Sequence, residues 1–191
     1  MNYLALLDQK YGNPLTNPPA FTSKWIVWWD IPSDIRNSIP VLPARVQVNK
    51  EFQQPLENAF RSLIKKKLHH EIKTFDGLFN IRPQVGTTTV PSVHAYGLAV
   101  DINAALNPFN GAVTFSPEFL QVWRDAGFRV GADFPPPRVD GMHFEYIPGT
   151  QTVVQQAIIF ADQNKWPLII LITAIITVVT FALINRQQHG K

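Results

Sequence analysis

The chain contains no cysteine. Disulfides and thiolate-bound metals are thereby excluded, and any metal must be held by histidine or carboxylate. With five histidines in 191 residues, the candidates are few. Charge is also scarce. Charged residues make up 16% of the chain, against roughly 25% in an average soluble domain. The net charge of +3 is mild. No basic stripe with interleaved aromatics is present, so the sequence predicts no nucleic-acid partner. The run Lys65, Lys66, Lys67 is isolated and reads as the solvated end of a helix. A small basic excess suits anionic surfaces instead. The chain shows no internal repeat and no low-complexity tract. Met1 to Leu7 is apolar but short, has no basic flank and is followed by Asp8, so it does not read as a signal peptide.

The shortage of charge has one local cause. From Trp166 to Ile184 the chain runs nineteen residues without a charge. A helix of that length spans just under about 30 Å, the hydrocarbon thickness of a bilayer. Trp166 stands at one end, where an interfacial aromatic belongs, and Pro167 falls in the first turn, where its missing N–H costs nothing. The sequence thus predicts a transmembrane helix over 166–184 with a polar tail at 185–191. Lys165 precedes the span while Arg186 and Lys191 follow it, a slight bias towards a cytoplasmic tail. Residues 151–165 read as a linker, helical in pattern, feeding the span.

The remainder, 1–150, reads as one small α+β domain with an antiparallel sheet and flanking helices. Residues 1–50 are expected to be irregular, because Pro14, Pro18, Pro19, Pro32, Pro40 and Pro43 interrupt them. Trp25 to Trp29 reads as a short strand or a packed aromatic patch. Phe52, Leu56, Ala59, Phe60, Leu63 and Ile64 follow helical spacing, with Asn49 as the expected cap and an end near His69 and His70. Strand character appears at 77–82, 97–102, 128–130 and 142–147. A second helix is expected over 117–126, with Ser116 as N-cap, Pro117 at its first position and Gly127 ending it.

Two segments set polar groups into this apolar background. One runs from Ser92 through His94, Gly97 and Ala99 to Asp101; the other holds Asp140, His143 and Glu145. A catalytic zinc takes three histidine or carboxylate ligands and leaves a position for water. It also needs a neighbouring carboxylate to carry the proton. His94, Asp101 and His143 can supply the ligands, and Asp140 or Glu145 the base. On a strand His143 and Glu145 share a face, whereas Asp140 points away unless Gly141 turns the chain.

These segments resemble the signature of the D-alanyl-D-alanine carboxypeptidase family of zinc peptidases. That family also holds phage endolysins cutting between L-alanine and D-glutamate, and it is grouped with lysostaphin and the hedgehog domain. Its pattern, Ser-x-His-x-x-Gly-x-Ala-x-Asp followed by Asp/Glu-x-x-His, is met by Ser92, His94, Gly97, Ala99 and Asp101, then by Asp140 and His143. Ile81-Arg82-Pro83 upstream is similar to the family's arginine segment. The resemblance implies a hedgehog/D-Ala-D-Ala peptidase-like fold and Zn2+ held by His94, Asp101 and His143. It implies Asp140 as catalytic base in preference to Glu145, and Arg82 steadying the substrate carbonyl or carboxylate. Ser92 is implied to touch substrate or orient a ligand, and Glu145 to orient a ligand histidine. One departure stands out. Many relatives have Gly-Gly-Asp-Trp where this chain has Gly131, Ala132, Asp133 and Phe134, followed by Pro135, Pro136, Pro137 and Arg138, so the substrate groove is expected to differ.

The expected activity is cleavage of peptidoglycan stem peptides, either D-Ala-D-Ala as a carboxypeptidase or L-Ala-D-Glu as an endopeptidase. The expected setting is single-pass attachment to a lipid bilayer, in a bacterial inner membrane or the membrane of a bacteriophage virion. The competing expectation is an inactive wall-binding or structural protein on the same fold.

Overall fold

A computed structural model describes residues 3–151. Among them no helix is long and apolar enough to cross a membrane. The expected linker beyond residue 151, the apolar run 166–184 and the tail 185–191 lie outside the described residues.

The first fifty residues are more ordered than their prolines suggest. They form α1 (Tyr3–Tyr11), α2 (Pro18–Trp25), β1 (Ile26–Asp30), α3 (Ser33–Ser38) and β2 (Arg45–Asn49). The prolines sit where helices tolerate them. Pro18 and Pro19 open α2 behind Asn17, whose side chain accepts from the Ala20 N–H, and Pro32 immediately precedes α3. The stretch read as strand or aromatic patch is β1, paired antiparallel with β2. It buries Trp29 and exposes Trp28, as strand alternation requires.

Next comes α4 (Gln53–Lys65), with Leu56, Ala59, Phe60 and Leu63 fully buried along one face. Each large side chain there contributes about 1.5–3 kcal/mol of hydrophobic stabilisation. Asn49 is not its cap: the helix starts three residues beyond the expected start at Lys50, and Phe52 precedes it without a side-chain cap. Asn49 instead organises the turn between β2 and α4. Its side-chain oxygen accepts from Glu51 N at 3.0 Å, and its amide donates to Tyr96 O at 3.0 Å. α4 ends at Lys65, and His69 and His70 fall in a separate short 3-10 turn.

The main sheet contains β3 (Phe75–Gly77), β4 (Ala99–Ile102), β5 (Arg129–Val130) and β6 (His143–Glu145), in the order β3-β4-β6-β5. All three pairings are antiparallel. There are therefore two small sheets where the sequence predicts one. The strand expected over 77–82 is shorter and earlier, and its remainder is extended chain outside the ladder. Between β4 and β5 lies α5 (Pro117–Asp125), capped as expected by Ser116, whose Oγ accepts from Phe119 N at 3.1 Å. Trp123 of α5 stacks on Phe144 of β6 at 4.4 Å and meets Phe60 of α4 at 6.0 Å. This aromatic column joins the helical layer to the back of the sheet and leaves the opposite face of β4 and β6 for polar side chains.

Candidate metal centre

The front of the sheet is assembled by strand register. Asp101 on β4 is directly opposite His143 on β6, and Glu145 on β6 is directly opposite Arg129 on β5. Alternation separates these side chains from the core. Val100, Ile102 and Phe144 are fully buried on the back, while Asp101, His143 and Glu145 meet on the front.

His94 arrives from a 3-10 turn, Val93–Tyr96. Ser92 opens the turn, its Oγ accepting from His94 N at 3.4 Å, and Gly97 closes it with φ +68°. A Cβ on Gly97 would lie 2.8 Å from Asn49 N, so the position requires glycine both for its left-handed backbone and for space. Ser92 thus caps the turn that carries His94, and it also lines the neighbouring cavity.

His94 Nε2, Asp101 Oδ1 and His143 Nδ1 form a triangle with every side 3.1 Å. A tetrahedral ion with bonds of about 2.0–2.1 Å holds its ligand atoms about 3.3 Å apart, close to this spacing. The outer ring nitrogens face acceptors. His94 Nδ1 is 2.6 Å from Leu78 O, and His143 Nε2 is 3.0 Å from Glu145 Oε2. With the ring protons at those acceptors, both inner nitrogens turn lone pairs towards the Asp101 carboxylate. Three electron-rich atoms packed this closely call for a cation. The group is the one His/Asp cluster among the described residues able to hold a metal ion, and its donors suit zinc.

The electrostatics agree. Burial alone would push the Asp101 carboxyl up, but the neighbouring His143 and His94 outweigh it and hold the group well below the usual carboxylate range. Burial alone would push His143 down, but Asp101 and Glu145 on either side hold it up at about 10.

Asp140 stands beside the triangle. Residues 140–143 form a turn closed by His143 N donating to Asp140 O at 3.0 Å, so Gly141 does turn the chain. A Cβ there would press on Asn107 and Val113 at 3.0 Å. Asp140 Oδ1 is buried without a hydrogen-bond partner among the described residues. Burial raises this carboxyl above its ordinary value, opposed by the neighbouring His143. A half-desolvated carboxylate with an uncommitted oxygen is well suited to accept a proton.

Arg82 lines the same cavity, whose volume is about 360 Å³. Its segment runs along the His94 segment: Ser92 N donates to Arg82 O at 3.0 Å, and Asn80 N to His94 O at 3.1 Å. All seven residues singled out in the sequence therefore line one cavity: Arg82, Ser92, His94, Asp101, Asp140, His143 and Glu145. Sequence reasoning missed Arg129, the ion-pair partner of Glu145, and the Leu78 carbonyl that orients His94. A charge in the otherwise apolar strand Phe128-Arg129-Val130 was a legible signal for the first. A backbone carbonyl leaves no trace in sequence. Arg138 and Phe109 also line the cavity, the former from the expected groove insertion.

A family model described as D-alanyl-D-alanine carboxypeptidase matches residues 85–146, less than half of the chain. The matched stretch contains His94, Asp101, Asp140, His143 and Glu145, while Arg82 and all of α1 to α4 lie before it. Over that stretch the chain is similar to this peptidase family, and His94, Asp101 and His143 within it form a cluster that could hold a metal ion. No curated protein and no solved structure matches the chain.

Proposed function

We propose that this protein is a zinc-dependent peptidase that hydrolyses an amide bond in peptidoglycan stem peptides. The observation that carries the reading is the triangle of His94, Asp101 and His143 with the uncommitted Asp140 carboxylate at its side. The family match over the same residues supports a peptidoglycan-related substrate.

His94, Asp101 and His143 would hold the ion, and Asp140 lines the same cavity with an unpartnered oxygen. Zinc, when bound, supplies Lewis acidity that favours deprotonation of water and polarises the scissile carbonyl. Asp140 takes the proton from the attacking water and delivers it to the leaving amine as the C–N bond breaks, so that it returns to its ionised form. Arg82 offers a fixed positive charge with several donors to the carbonyl oxygen or to a substrate carboxylate. Glu145 and the Leu78 carbonyl hold the two histidine rings in the orientation that turns their lone pairs inward.

The test is digestion of purified sacculi by the zinc-loaded full chain, with mass spectrometry of the products and an Asp140→Asn blank. Free D-alanine identifies a carboxypeptidase, and a new N-terminal D-glutamate an L-Ala-D-Glu endopeptidase. Folded, zinc-loaded protein that releases neither overturns the reading in favour of an inactive wall-binding module.

We also propose that residues 166–184 anchor the domain in a bilayer, and that the setting is a bacteriophage virion. The support is the uncharged run in the sequence and the use such a particle has for a wall peptidase at its membrane. Resistance of the full chain to alkaline extraction from membranes tests the anchor. Its detection in purified virions tests the setting, and absence from them together with a host chromosomal origin overturns it.

A further inference from the structure

Glu145 is almost completely buried, and its two oxygens serve different partners. Oε2 meets His143 Nε2 at 3.0 Å, while Oε1 accepts from Arg129 Nη1. Arg129 is the residue directly opposite Glu145 across β5 and β6, so the ion pair is built into the sheet register. The guanidinium is held in turn by aromatic rings. Its central carbon lies 3.9 Å from the centroid of Tyr3 and 5.1 Å from that of Phe134. A planar cation can stack on rings and bond in its own plane at once, which a lysine ammonium cannot do.

Tyr3 comes from α1, far outside the stretch that matches the peptidase family. α1 is seated by the buried Leu7 and Tyr11 and by Asp8, which accepts from the Tyr96 hydroxyl two residues after His94. The helix thus touches both histidine-bearing segments: the His94 turn through Asp8, and His143 through Tyr3, Arg129 and Glu145.

We propose that Arg129 is a positioning residue of the metal centre, acting on His143 through Glu145, and that its stack with Tyr3 makes α1 a working part of that centre. The inference rests on the zinc-peptidase reading above. Without Arg129, Glu145 is a buried carboxylate that has lost its fixed cation, and its hold on the His143 ring loosens. The stack with Tyr3 matters because it keeps the guanidinium aimed at Oε1 rather than out into the cavity.

The experiment measures zinc affinity by competition with a chromophoric chelator, and the visible spectrum of the Co2+-substituted protein. It compares the wild-type full chain with Arg129→Met, Arg129→Lys and Tyr3→Leu. Arg129→Met is expected to weaken zinc binding about 10- to 100-fold, the range for loss of an outer partner of a ligand histidine, and to shift the cobalt bands. Arg129→Lys restores part of the affinity, and it keeps the assay decisive if the methionine variant does not fold. Tyr3→Leu moves both readouts in the same direction by less. Wild-type affinity and an unshifted cobalt spectrum in a folded Arg129 variant overturn the proposal. So does a rise in KM with zinc affinity unchanged, which would make Arg129 a substrate contact. A wild-type chain that binds no zinc overturns the metal reading itself and this inference with it.

Discussion

Asp101 and His143 face each other across β4 and β6, and Asp101 Oδ1 lies 3.1 Å from His143 Nδ1. Residues 42 positions apart in the chain thus become a cross-strand pair, which places one carboxylate and one imidazole on the same face without help from any loop. Only His94 must be brought in from outside the sheet, by the turn that Gly97 closes.

Loss of one corner of the triangle should abolish tight metal binding. His143→Ala and Asp101→Asn are each expected to lower zinc affinity by more than the about 100-fold upper range for outer partners. Metal analysis after dialysis, alongside a thermal melt to verify folding, measures it.

Zinc binding should depend steeply on pH. Asp101 and Glu145 hold His143 up at about 10, above neutral pH, so zinc is expected to displace a proton from it. The affinity should therefore rise as pH rises, by about tenfold per unit below that value for a single displaced proton. Titration calorimetry in buffers of different ionisation enthalpy should show about one proton released at pH 7. An affinity flat between pH 6 and 8 would contradict it.

Asp140→Asn should keep the metal and lose the proton carrier. The expected result is a fall in kcat of about 10²–10⁴-fold, typical for removal of a general base, with zinc affinity little changed. Steady-state kinetics on a stem-peptide substrate separates this from a binding defect, because KM should stay near that of the wild type.

Gly131→Ala should damage the same function from a distance. A Cβ there would fall 2.2 Å from Asp140 O, too close to accommodate without moving the Asp140 backbone. Misplacement of a reacting group by about 1 Å costs about 100-fold in rate. Activity should drop by that order while zinc affinity falls much less, a split that simple unfolding would not produce.

Phe144→Ala tests the scaffold. Phe144 is fully buried between its two polar neighbours in sequence and stacks on Trp123 at 4.4 Å. Truncation should cost about 3–5 kcal/mol of stability, measured by denaturant unfolding. Zinc should recover part of the loss if binding to the folded state is linked to stability.

The α+β class, the apolar face of α4 and the capped start of α5 were legible because each depends on local pattern: spacing at 3.6 residues, or Ser116 followed by Pro117. The polar residues that line the cavity were singled out mainly by the resemblance of their two segments to a peptidase signature, because a lone histidine or aspartate beside a strand has ordinary structural readings. The order of residues 1–50 was not legible. Pro18, Pro19 and Pro32 read as breakers, yet each sits at or just before a helix start, where proline is harmless, and sequence alone does not say on which side of a proline a helix lies. Asn49 misled for a related reason. Its side chain can cap a helix or close a turn, and the choice was made by the Tyr96 carbonyl, a partner distant in sequence.

The sequence by itself determined which atoms are available: no thiolate, few histidines, and carboxylates at spacings that alternate with core residues. Alternation also determined that His143 and Glu145 share a face. Tertiary structure decided the rest. The register of β4, β6 and β5 set Asp101 against His143 and Arg129 against Glu145, and the packing of α1 brought Tyr3 over Arg129. Pairings of that kind depend on long-range backbone hydrogen bonds and shared core burial, and a one-residue slip would turn every one of these side chains to the other face of the sheet.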